Sequence, residues 1–295
     1  MSMPRDPVFV TSEPSHNLIP AAGGAVWIPL HDDSFLPGIT GLPTMTEVGT
    51  PSGSKWGTAG AYTFQTQNTT NGLNALDDID DLYLDQVLSF VGMQVGEQRI
   101  IAMELSYTDT PSGTACIFCY GRNAEAQSGY ALSITTSEGP QFLRRPKNGG
   151  SSGTTENINV SSGTFTQFKN QGRFAMVFGI TVASASTVDL ELQLGNGTLS
   201  AVYAETGIDL LLTGGTPPGV ADGISMSDFG GLTLGARNAA SIGTIDNFWG
   251  NSASGTSVGK IGNFQARKYT TYSATRAAEK LAKMLARPFD FVLED

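Results

Sequence analysis

Between Gly60 and Tyr269 the chain is a succession of short runs rich in β-branched and aromatic residues, most of them closed by Gly, Ser, Asn or Pro. They read GAYTFQT, LDQVLSFVG, QRIIAMELSY, TACIFCYG, GYALSIT, RFAMVFGITV, VDLELQL, IDLLLT, GLTLGAR and VGKIGNFQARKY. Runs this short, with turn residues between them, predict strands rather than helices. Where the runs alternate, one face is apolar: Ile101, Met103 and Leu105 share a side, as do Val188, Leu190, Leu192 and Leu194. Thr187, Asp189, Glu191 and Gln193 then form the solvent side of the same strand. A strand with one apolar face must bury it against a second layer, so the pattern demands an all-β sandwich of two antiparallel sheets. The 36 glycines and 14 prolines supply the turns, and 40% apolar residues in 295 are enough for a core.

One helix is expected. Ser273 is a suitable N-cap, and Ala274, Ala277, Ala278, Leu281 and Leu285 recur at spacings of three and four. Glu279 and Lys283 form an i,i+4 pair, and Pro288 closes the segment. The glycine-rich stretch 147–164 reads as a surface loop with room for a short strand at NINV. The tail FDFVLED is either a last docked strand or a contact segment.

Residues 1–55 differ in kind. They hold eight of the fourteen prolines and both histidines, His16 and His31. Proline removes ladder donors, so the segment is expected to be an extended arm. Its apolar residues, Phe9, Trp27 and Phe35 among them, need a surface to cover, on the same chain or on a neighbouring subunit. MSMPRDPVFVTSEP lacks the apolar run of a signal peptide, which predicts synthesis in a cytoplasm without Sec export. No run is long enough for a membrane helix, so membrane insertion is not expected. A net charge of −10 argues against nucleic acid, because an acidic chain gains nothing from releasing phosphate counterions.

Three clusters invite chemistry. Cys116 and Cys119 form a CxxC, but in a strand positions three apart face opposite sides, and the histidines are distant. Buried free thiols are the expectation. Asp77, Asp78, Asp80 and Asp81 offer calcium an oxygen-rich site, yet lack EF-hand spacing, and a solvated acidic turn is preferred. No other cofactor is expected. Asp246, Asn247, Phe248, Trp249 and Asn251 precede the last strand and put aromatic rings beside polar groups. That mixture suits contact with carbohydrate or a protein partner, the competing reading being that Trp249 plugs the end of the sandwich.

The order of elements resembles the concanavalin A-like lectin/glucanase superfamily, of laminin-G-like type. The resemblance rests on the early strand AYTFQT, the strand and Asn-Gly turn VDLELQLGNG (188–197), the LG strand 232–235, the G-x-I strand opened by Gly259, Lys260 and Ile261, and the helix 273–287. It implies a jelly-roll sandwich over residues 56–288, with an arm at 1–55 and a tail at 289–295. Glycosidases of that superfamily use E-x-D-x-x-E on one strand. Here Asp189 and Glu191 are present but the first Glu is missing, so no enzyme is expected. Such domains with a Pro-rich arm and no signal peptide resemble virion proteins of tailed phages. The leading expectation is therefore a non-enzymatic accessory virion protein, a head decoration or tail component, that contacts other virion subunits and self-associates. The alternatives are a carbohydrate-binding module for a host surface glycan and a degenerate glucanase.

Overall fold

The computed structural model of the chain describes residues 25–28, 45–48, 62–63, 72–75, 86–121, 129–145, 154–158, 163–211, 217–219, 232–238, 245–246, 249, 258–287 and 292–293. In chain order the strands are β1 (Ala25–Ile28), β2 (Met45–Val48), β3 (Tyr62–Thr63), β4 (Gly72–Ala75), β5 (Gln98–Tyr107), β6 (Ala115–Gly121), β7 (Gly129–Ile134) and β8 (Pro140–Arg145). They continue with β9 (Thr154–Asn157), β10 (Arg173–Val182), β11 (Thr187–Gly195), β12 (Ser200–Asp209), β13 (Leu232–Leu234), β14 (Arg237–Asn238), β15 (Ile245–Asp246) and β16 (Gly259–Tyr269). A helix, α1 (Arg276–Ala286), follows.

Period-two alternation becomes two antiparallel sheets. The first runs β1-β16-β5-β10-β11-β12, with β3 also paired to β16; the second runs β2-β4-β13-β6-β7-β8-β9. Neighbours distant in sequence, such as β16 beside β5 and β13 beside β6, give the jelly-roll character expected. The inner faces meet as predicted. Ile101, Met103 and Leu105 of β5, and Val188, Leu190, Leu192 and Leu194 of β11, all lie in one core. Phe118 of the second sheet packs against Phe178 and Phe264 of the first, at centroid distances of 6.3 and 6.2 Å. Burying each such side chain contributes about 1.5–3 kcal/mol.

Glycine at the start of the G-x-I strand has a steric reason. A Cβ at Gly259 would stand 1.8 Å from the Ser106 carbonyl oxygen, so only glycine lets β16 close on β5 at this end.

Several expectations need correction. Residues 86–88 of LDQVLSFVG form a helical turn, in which the adjacent Val87 and Leu88 are both buried, a pattern alternation cannot give. Only Ile208 and Asp209 of IDLLLT belong to a strand, because β12 lies earlier, over SAVYAETGID. The short strand in the 147–164 loop is Thr154–Asn157 rather than NINV. Two pieces of the Pro-rich stretch are strands of the sandwich: β1 pairs with β16 and β2 with β4, so the sandwich begins before residue 56.

Cys116 and Cys119 are free and buried, as expected, but they do not face opposite sides. A β-bulge between Cys116 and Phe118 turns both Ile117 and Phe118 into the inner core. That extra residue brings the two thiols to the same outer face, where they pack with Ala131.

The outer face of the first sheet is covered at its centre. Ala277, Leu281 and Met284 of α1 pack on Ile100, Ala102, Ala175 and Val177. The helix starts at Arg276, three residues after the expected cap, with Thr275 at the N-cap position. The tail docks on the same sheet. The Val292 N–H donates to Gln265 Oε1 at 2.8 Å, and the Leu293 carbonyl accepts from Arg267 Nη1 and the Tyr269 hydroxyl, both at 2.9 Å.

Candidate ligand-binding surface

Trp249 does not line a surface. Its side chain is fully buried in the core, its backbone N–H donates to the Gly235 carbonyl at 2.8 Å, and its backbone carbonyl accepts from Val258 N–H at 3.2 Å. The indole plugs the sandwich, because so large an apolar area stabilises more inside than at a rim. Of the two places open to this ring, a contact rim and a plug of the sandwich, it takes the plug. Asp246 pairs through its backbone with Arg237 in the β14–β15 ribbon. Asn247, Phe248 and Asn251 lie outside the described residues, as do Phe9, Phe35, Asp77, Asp78, Asp80 and Asp81. Trp27 sits on β1 opposite Gln265, so its backbone belongs to this chain's own sheet.

The two carboxylates that echo a glucanase pair serve their own strands. Asp189 Oδ1 accepts from the Gly207 N–H at 2.9 Å, pinning a bulge in β12, and Glu191 Oε1 accepts from Gln193 Nε2 at 2.5 Å.

Sequence reasoning missed a basic corner built by the end of β16 and the start of α1. Residues 260–287 hold seven of the seventeen Lys and Arg but only one of the twenty-seven Asp and Glu. A charge tally by segment would have found it. Tyr269 is its centre: the Arg276 guanidinium stands 4.1 Å from the ring centroid, that of Arg267 5.2 Å, and Lys280 Nζ 5.7 Å. Cations are drawn to the negative face of an aromatic ring; beside them Lys268 pairs with Glu97 at 3.0 Å. Arg276 Nη1 also donates to the Thr271 carbonyl at 2.7 Å and to Gln98 Oε1. Its Nη2 and Nε make no hydrogen bond within the described residues. The one acid, Glu279, accepts from Thr275 Oγ1 at 2.6 Å. Next to Thr271, Tyr272 is 55% exposed, the only exposed aromatic among the described residues.

At one end of the sandwich a polar node ties three loops. Glu138, in the β7–β8 turn, accepts from Thr110 Oγ1 at 2.5 Å, from Thr166 Oγ1, and from Lys169 Nζ at 3.4 Å. Burial pushes its carboxyl up, but the hydrogen bonds of Thr110, Thr166 and Tyr107 and the charge of Lys169 outweigh this and hold it at about 2. Burial, with the Glu138 carboxylate beside it, raises the Tyr107 phenol. Every partner is internal, so the node is a fastening rather than a ligand site. Arg99 is likewise structural. It is fully buried, donates from Nε and Nη2 to the Ser89 carbonyl, pairs with Glu97 at 3.3 Å, and lies 4.1 Å over the Phe90 ring.

No protein-family model and no curated protein matches this chain. Solved structures that it resembles include a leech intramolecular trans-sialidase, at 16% identity and TM-score 0.38 over 70% of this chain and 25% of that one. The CBM40 of the Ruminococcus gnavus IT-sialidase aligns at 14% identity and TM-score 0.35, over 72% of this chain and 91% of the module. The binding domain of Botulinum Neurotoxin DC aligns at 8% identity and TM-score 0.45, over 82% and 47%. The chain spans about a quarter of the length of the leech enzyme.

Proposed function

We propose that this chain is a non-catalytic carbohydrate-binding sandwich whose ligand is an acidic glycan. The observation that supports the reading is the exposed Tyr272, whose chain neighbour Thr271 accepts a hydrogen bond from the Arg276 guanidinium, on a segment where basic side chains far outnumber acidic ones. A sugar offers an apolar C–H face that stacks on an aromatic ring. A carboxylate or sulfate on that sugar takes charge-assisted hydrogen bonds from a guanidinium, and Arg276 has donors to give. Tyr269 and Gln98 hold the guanidinium in place before the ligand arrives, which lowers the cost of binding. Hydrolysis is not part of the proposal, because Asp189 and Glu191 are engaged by Gly207 and Gln193.

The virion-accessory reading rests on the Pro-rich stretch acting as an assembly arm. β1 takes Ala25–Ile28 into the chain's own sheet, which weakens that ground and favours the glycan reading.

The test is an array of sialylated, sulfated, uronate-bearing and neutral glycans, probed with the full chain at low and moderate salt. Binding is expected on acidic glycans, weakening with salt, and falling about tenfold or more in Tyr272→Ala and in Arg276→Ala. Preference for neutral glycans, or no glycan bound at all, would overturn the proposal.

A further inference from the structure

We propose that β12 is a pairing edge through which two copies of this chain join, antiparallel and two-fold symmetric, into one continuous sheet. The inference is independent of the glycan reading. β12 ends the first sheet, with β11 on one side and no strand on the other among the described residues. Its outward residues Ser200, Val202 and Ala204 are exposed, Val202 by 60%.

The direction of its free backbone groups follows from the hairpin. The Asn196 N–H donates to the Leu199 carbonyl at 3.1 Å, and in an antiparallel ladder bonded and non-bonded pairs alternate. Ala201 and Tyr203, opposite Leu194 and Leu192, therefore turn their N–H and C=O toward β11. Ser200, Val202 and Ala204 turn theirs outward.

Sheet edges are ordinarily blunted by Lys, Pro, inward charges or bulges. Ser200–Asp209 contains no Lys, Arg or Pro. Its bulge, at Gly207 with φ +70°, comes late and leaves Ser200–Glu205 a regular edge.

Self-complementarity selects a second copy as the occupant. With Val202 on the two-fold axis, Ser200 meets Ala204 of the other copy and Ala201 meets Tyr203. About six main-chain hydrogen bonds form, all from groups already aimed outward. Glu205, the only charge between Ser200 and Thr206, falls opposite Leu199 rather than another acid. A chain of net charge −10 can approach itself here because the contact carries almost none of that charge.

Sedimentation equilibrium of the full chain tests this. A reversible monomer–dimer equilibrium is expected in the micromolar to sub-millimolar range, as suits a small interface. Val202→Lys and Val202→Glu each place like charges together on the axis, and each should weaken dimerisation about tenfold or more. An equimolar mixture of the two should dimerise again. Ala204→Pro removes an outward N–H without touching the β11 ladder, and should also give a monomer with unchanged circular dichroism. A wild-type chain that stays monomeric, dimerisation unaffected by these substitutions, or a mixture that fails to recover would each overturn the proposal. The last result would assign β12 to a different partner strand.

Discussion

Glu138 sits at φ +60°, a left-handed conformation that costs a side-chain-bearing residue about 1–2 kcal/mol. The turn holds it there because its main chain is bonded on both sides: its N–H donates to Thr135, and its carbonyl accepts from Phe165. The carboxylate then reaches Thr110, Thr166 and Lys169, joining the end of β5, the β7–β8 turn and the 166–168 turn. Its folded value of about 2 lies below the ordinary 4.5. The sign follows: the ionised form is favoured in the fold, so this stabilisation is full above pH ~4.5 and is lost as pH falls toward 2. Its size is on the order of 3 kcal/mol as an upper bound. Glu138→Gln should melt earlier than the parent at pH 7, and the two melting curves should converge near pH 2. A difference independent of pH would show that charge is not the cause. Gly259→Ala places a methyl group inside contact distance of the Ser106 carbonyl, and a loss of roughly 3 kcal/mol or more is expected in urea titration.

At the scale of elements, α1 depends on its seat. Eleven residues are too few for a helix to persist alone in water, so the docked face supplies its stability. That seat is shallow at Gly195, where a side chain would press on Leu281 and Leu285. Leu281→Ala should cost about 2–3 kcal/mol, read from the urea midpoint, with the sheet signal in circular dichroism preserved. The helix was legible in sequence because its apolar spacing is local, and so were β5, β10 and β11, whose alternation is regular. β8 and β12 were not. PQFLRR opens on proline and carries two arginines, and SAVYAETGID mixes small and acidic residues. These strands exist because neighbours pair with them, not because their own composition asks for it.

Across the whole molecule, the N-terminal stretch and the charge distribution change meaning once pairing is known. β1 covers the edge of β16 from Ala25 to Ile28, so deleting residues 1–28 should bare a ladder edge. A lower melting temperature and aggregation on heating are expected, whereas a purely external arm would leave the melt unchanged. Positive charge is gathered on β16 and α1 within an acidic chain, and binding at that corner should weaken as salt rises. The candidate surface was visible only in part: its basic residues stand in the sequence, but the neighbours of Arg276 do not. Gln98 is far from Arg276 along the chain and meets it only because β5 and β16 are adjacent strands. Residue order was enough to decide which side of each regular strand turns inward, since a period of two is carried by the strand alone. Whether Trp249 is a rim or a plug, whether two cysteines share a face, and whether β12 is left as an open edge depended on a bulge, a buried end and a pairing order. Those are properties of strands brought together from distant parts of the chain, and local periodicity does not encode them.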